Sequence, residues 1–141
     1  MSDINIGGIT EALNEKLDRD LNNPIDSLAA SLLEQGIDVI IARQLPTSAN
    51  GYKWYRKYAS GWIEQGWRQT WSGAWTTVTL PVPMADVNYT CTAGGYRTDG
   101  SPYQQMTCFK NYTTTTVDMW SSDDTTSNAA EIRVFVCGMA A

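Results

Sequence analysis

The amino-acid sequence predicts a mainly β protein, a compact β-sandwich or barrel-like knob preceded by a short helical N-terminal segment. Three observations predict it. Apolar residues recur with helical spacing only in the first quarter of the chain. From Ile37 the pattern changes to short β-branched and aromatic runs. Those runs are separated by Gly-, Pro-, Asn- and Ser-rich turns, at the spacing of a sandwich or barrel. A chain of 141 residues can bury one core. The expected division is a helical connector over 1–45, ending in a first strand, and a β-rich domain over 46–141.

The elements follow in order. Ile9, Leu13, Leu17 and Leu21 recur every four residues, so 9–21 is expected to be helical, with Thr10 as its N-cap. Asn22-Asn23-Pro24 breaks that helix. Asn23 can cap a second one with Pro24 at its first position. Ile25, Leu28, Ala29, Leu32 and Leu33 form its apolar stripe, and Gly36 is a natural stop. Two short amphipathic helices cannot bury their stripes alone. Leu13, Leu17, Leu28 and Leu32 are therefore expected to pack against a neighbouring chain or the downstream domain. The next heptad slot after Ile6, Ile9 and Leu13 is Lys16, which does not support a long coiled coil.

Ile37 to Leu45 reads as a strand stopped by Pro46, and PTSANG (46–51) as a turn. Tyr52–Tyr58 and Trp62–Gln65 are expected to pair as a hairpin across Ala59-Ser60-Gly61. Tyr52, Trp54, Arg56 and Tyr58 would share one face. Further strands are expected at 75–80, 87–93, 103–110, 112–120 and 130–137. GGYRTDGSP and SSDDTTSN between them have loop composition. Trp54, Trp62, Val134 and Val136 are expected in the core.

Charge and chemistry exclude several function classes. Residues 1–45 carry eight acidic and three basic side chains, and the remainder seven of each, so the net charge of −5 belongs to the leading segment. No basic footprint for nucleic acid exists, and no apolar run is long enough for membrane insertion. MSDINIGG lacks the basic and apolar regions of a signal peptide, so no secretion signal is expected. With no histidine, neither Ser–His nor Cys–His activation is available and a zinc site cannot be completed. The odd count of Cys91, Cys108 and Cys137 suits free thiols; their spacing does not decide a Cys91–Cys108 disulfide. No carboxylate pair stands out for glycoside cleavage. The expectation is a non-enzymatic protein with no cofactor and no metal.

The functional-looking asset is aromatic. Five tryptophans lie between 54 and 75. Trp67 and Trp71 fall in GWRQTWSGAW, which reads as a polar connection, and Tyr96 and Tyr103 flank another loop. Flat rings stack on sugar faces or fill protein pockets, while Arg97 and Asp99 offer directional hydrogen bonds. Trp67, Trp71, Tyr96, Arg97, Asp99 and Tyr103 are therefore the candidate receptor-binding residues, with the Ser121–Asn128 loop as the alternative location.

WYRKYASGWIEQG (54–66), TVTLPVPMADVNYT (77–90) and VFVCGMAA (134–141) resemble the C-terminal tip domain of bacteriophage and prophage tail-fibre proteins, and ITEALNEKLDRDLNN (9–23) is similar to their helical connectors. The resemblance implies a homotrimer in the virion, joined to the fibre shaft, whose loops touch a bacterial cell-surface receptor, glycan or protein, during host adsorption. It implies that the hairpin aromatics pack in the core and between subunits. Trp67 stands where the family usually has a second glycine. Metal binding through histidines, which some tips use, is not expected. The rival readings are a head fibre or decoration protein without a receptor, and a glycan depolymerase.

Overall fold

The computed structural model describes residues 24–70, 74–97, 106–121 and 130–141. The 9–21 helix, with Leu13 and Leu17, lies outside the described residues. Among the described residues one α-helix, α1 (Pro24–Glu34), precedes eight strands: β1 (Ile40–Gln44), β2 (Trp54–Tyr58), β3 (Trp62–Thr70), β4 (Thr76–Thr79), β5 (Thr90–Arg97), β6 (Thr107–Lys110), β7 (Thr116–Ser121) and β8 (Ala130–Met139). They form a five-stranded sheet in the order β1-β2-β3-β8-β5 and a three-stranded sheet in the order β4-β7-β6. All described pairings are antiparallel. The mainly β expectation holds, and of the sandwich and barrel forms the chain adopts two antiparallel sheets.

Alternation explains why the sheets face each other. On β8, Ile132, Val134 and Val136 point inward; on β3, Ile63, Gln65 and Trp67 do; on β7, Val117 and Met119 do. Leu80, Met84 and Tyr89, from the connection between the sheets, close the same core. Gln65 is fully buried and acts as a clamp. Its amide oxygen accepts from Val82 N (2.8 Å), and its amide nitrogen donates to Val82 O (3.0 Å). A polar side chain is stable there because both ends of the amide are satisfied by the backbone.

Several boundaries and burial expectations are corrected. The strand expected at 62–65 runs on through Thr70, because its partner β8 continues the ladder to Thr70↔Glu131. Trp67 is thus an inward-facing strand residue, only 4% exposed, rather than part of a polar connection. Trp62, expected in the core, is 40% exposed, because it falls on the outer face opposite Ile63. Trp54 is half-buried on that outer face, while Val134 and Val136 are in the core as expected. The expected 112–120 strand begins only at Thr116, since Thr113 and Thr116 form a tight hydroxyl-bonded turn before it. Cys91, Cys108 and Cys137 are free thiols, so the Cys91–Cys108 disulfide is not formed.

The second helix forms where the capping signals place it. Leu28 is 62% exposed, and Leu33 also faces outward. Leu32 is half-buried, and its carbonyl receives Gln35 N and Ile37 N to close the helix.

The interior gives the fold an alkaline limit. Burial, reinforced by nearby Cys137, pushes the Cys91 thiol from 9.0 up to about 12. Burial, reinforced by Cys91, pushes the Tyr89 phenol from 10.0 up to about 12; Tyr89 Oη donates to Thr113 O and Thr116 O. Both groups hold their protons more tightly when folded, so their contribution is complete below the unfolded values and is lost as pH rises toward the folded ones. Denaturant midpoints are expected to be level up to about pH 9 and to fall between about 9 and 12. A midpoint that holds to pH 12 refutes the burial of these two groups.

Candidate functional site

Strand direction sorts the connections into two poles. β3, β5 and β7 run toward one pole and β2, β4, β6 and β8 run away from it. The β3–β4, β5–β6 and β7–β8 connections therefore leave from this pole, as does the β1–β2 turn. α1 enters β1 at the opposite pole, where the hairpin turn at 59–61 and Ala141 also lie. Four connections thus leave from the pole opposite α1, while the β4–β5 connection (80–89) runs at the α1 pole, where Ala85 N donates to Met139 O.

The expected receptor residues map onto this separation unevenly. Tyr96 and Arg97 end β5 at the loop-bearing pole, though their side chains lie outside the described residues. Trp71, Asp99, Tyr103 and the Ser121–Asn128 loop beyond Ser121 also lie outside them. Trp67 turns its ring to the core, where its Nε1 donates to Gln69 Oε1 (3.3 Å), and it also borders the groove on the outer face of the five-stranded sheet.

Two groups of side chains near this pole do form organised surfaces. The first lies on the outer face of the five-stranded sheet. Trp54 lies across Gly66 and packs against Phe135, with ring centroids 6.0 Å apart. The Arg56 guanidinium stands 5.9 Å from the Trp54 ring centroid. Pro46, Tyr52, Trp54, Arg68, Arg133 and Phe135 border a groove of about 460 Å³. A smaller hollow of about 250 Å³, bordered by Arg43 and Arg56, shares Pro46 and Trp54 with it.

Tyr52 is held at the groove edge by unusual backbone. A 3₁₀ turn at Ser48–Asn50 is closed by reciprocal bonds between Thr47 and Asn50, and Gly51 follows in the left-handed region. Tyr52 is also left-handed, with φ of 57°. For a bulky residue this costs about 1–3 kcal/mol and persists only when the surroundings enforce it. The bond from Tyr52 N to Thr47 O (2.8 Å) enforces it here. The result places the Arg68 guanidinium 4.9 Å from the Tyr52 ring centroid, a cation–π contact.

Arg68 and Arg133 sit directly opposite each other across β3 and β8. Such a like-charge pair is unfavourable by itself. Glu131 resolves the conflict: its carboxylate, 5% exposed, pairs with Arg68 through one oxygen and with Arg133 Nε through the other (3.1 Å). One buried anion therefore fixes two guanidinium groups that are themselves 44% and 71% exposed.

The second surface is the outer face of the three-stranded sheet. Trp75 and Trp120 stack with a tilt of 34°, and Lys110 Nζ lies 3.9 Å from the Trp75 ring centroid. Thr77 and Asn111 donate to the two oxygens of Asp118 (2.6 and 2.7 Å). Those bonds, Thr77 first, hold the Asp118 carboxyl below the usual range, and Lys110 adds to the effect. Its hydrogen-bonding is thus already directed inward.

Sequence reasoning missed Tyr52, Arg68, Glu131, Arg133 and Phe135 as a group. The alternation of Tyr52, Trp54 and Arg56 was a partial signal, but strand order alone brings β8 beside β3. Among the described residues, no group of three or more His, Cys, Asp or Glu could hold a metal ion, and no helix is long and apolar enough to cross a membrane.

No family model and no curated protein matches the chain. Solved structures do. A C-terminal part of the R2 pyocin fibre of P. aeruginosa superposes with a TM-score of 0.51 at 19% identity, covering 78% of this chain and 29% of that one. A C-terminal part of the P. aeruginosa R1 pyocin fibre gives 0.48 at 16% identity, over 61% of this chain and 26% of that one. An N-truncated R1-type pyocin tail fibre gives 0.49 at 17% identity, over 78% and 94%. The chain thus spans less than a third of the first two fibre structures. The likeness to the R2 fibre establishes a shared fold, in line with the tail-fibre resemblance of the sequence.

Proposed function

We propose that this chain is the tip of a fibre on a phage-like particle, and that it binds a bacterial surface receptor rather than transforming it. The observation that carries the reading is the polar separation described above. α1 enters β1 at one end, and the β1–β2, β3–β4, β5–β6 and β7–β8 connections leave from the other, toward which both aromatic surfaces gather. A fibre tip needs that arrangement, because the shaft occupies one end and the host the other. The shared fold with the R2 pyocin fibre supports it. Binding residues belong on loops and rims of a rigid β scaffold for the same reason.

The tip is a homotrimer in this proposal. Leu28 and Leu33 are too exposed for a helix that stays solvated, and three copies around an axis would cover them. Whole-cell binding of the purified chain tests the reading, across a panel of bacterial strains and their derivatives stripped of surface polysaccharide. Light scattering on the same preparation gives the mass. Binding to a subset of strains, by a species three times the chain mass, is expected. A protein that binds no strain is not a receptor-binding tip, and a monomer removes the trimer.

A further inference from the structure

We propose that the outer-face groove between Tyr52, Trp54, Phe135 and the Arg68–Glu131–Arg133 cluster binds an acidic saccharide, a sugar ring that carries a carboxylate or phosphate group. The inference rests on the fibre-tip reading for its biological setting, but its chemistry is independent of that reading.

Three features carry it. The groove of about 460 Å³ has the dimensions of a small-ligand site. Its floor is aromatic, with Trp54 and Phe135 presenting rings against which the apolar face of a sugar can lie. Its wall is cationic: Arg68 is clamped between the Tyr52 ring and Glu131, and Arg133 is fixed to the same carboxylate. Guanidinium groups recognise carboxylate and phosphate through paired N–H donors, and fixing them beforehand lowers the cost of ordering them on binding.

Charge complementarity decides the class of ligand. The chain as a whole carries −5. Among the described strand residues of this face, Arg43, Arg56, Arg68 and Arg133 outnumber Glu64 and Glu131 by two, in a β-rich region (46–141) that is neutral overall. A neutral sugar gains nothing from that excess. Glu131 is a positioning residue, since its buried carboxylate holds the guanidiniums. The left-handed Tyr52 fits the same purpose, because a strained residue retained at a groove edge is a mark of function.

The test uses the full chain and defined probes. A methyl uronide supplies the carboxylate, the matching neutral methyl glycoside serves as the control, and inorganic phosphate competes. The readout is the indole N–H resonance of Trp54 during titration. The uronide is expected to shift it saturably and the neutral glycoside is not. Competition by phosphate at equal concentration assigns the natural group to phosphate; its failure assigns it to carboxylate; either supports an anion site. Arg133→Gln is expected to weaken uronide binding about tenfold, the loss of one charge-assisted contact. Tyr52→Gly relieves the left-handed strain, so it is expected to hold or raise the melting temperature while weakening binding.

Equal binding of the neutral glycoside, or unchanged uronide affinity in both folded variants, overturns the proposal. So does a change of oligomeric mass in Arg133→Gln, which would mean that a second copy covers the groove. Variants that lose the uronide yet bind cells like the wild type remove the groove as receptor site and leave the fibre-tip reading standing. A wild type that binds the uronide but no cell does the reverse.

Discussion

Gly66→Ala is expected to lower stability by about 3 kcal/mol, a drop of roughly 10 °C in melting temperature for a chain of this size. Gly66 lies mid-strand on β3, opposite Phe135. A Cβ there would sit 2.3 Å from the backbone oxygen of Val134, and 2.8 and 3.0 Å from Nε1 and Cε2 of the Trp54 indole. The indole could swing away. The Val134 oxygen cannot, because β8 is held by β3 on one side and β5 on the other. An added methyl must therefore spread the β3–β8 ladder or flatten its twist, and it also lifts Trp54 off the groove floor. Gly94→Ala is the control: it lies on the same face of the sheet, on β5, and a methyl added there would meet nothing within 4 Å. Thermal melts of the two variants at one protein concentration make the comparison. Equal melting temperatures for Gly66→Ala and Gly94→Ala would show that the strands can part at no cost.

Trp67→Ala is expected to cost about 3–5 kcal/mol, the range for emptying a large buried aromatic site. The ring is 4% exposed and belongs to the core cluster with Val134 and Ile132. Removing it leaves a void between the two sheets that β-sandwich backbones cannot collapse to fill. Trp62→Ala, at 40% exposure, loses far less buried surface and is expected to cost less than half as much. Urea midpoints for the pair decide the matter. If Trp62→Ala proved the more damaging, the inward and outward faces of β3 would have to be exchanged.

That comparison shows where sequence reasoning stopped. The fold class, the second helix with its Pro24 start, the 46–51 turn and the hairpin across Ala59-Ser60-Gly61 were legible, because each depends on residues near one another in the chain. Local periodicity, caps and turn chemistry are properties of short segments. The alternation within β2 was legible for the same reason. It set Trp54 and Arg56 on one face, yet it could not say which face the second sheet would cover.

The rest depended on pairings between distant residues. β3 extends to Thr70 only because β8, some sixty residues later, offers partners as far as Glu131. That extension turned a polar-looking stretch into a strand and sent Trp67 inward. The same register set Arg68 against Arg133 and supplied Glu131 between them, a cluster no local spacing announces. Tyr52 acquired its place from the left-handed turn before it, which breaks the strand alternation at that residue. The sequence by itself determined where the strands are seeded and that no histidine chemistry is available. Only the tertiary structure decided which side of each strand is solvent, because a period-two element has two equivalent faces until another sheet covers one of them.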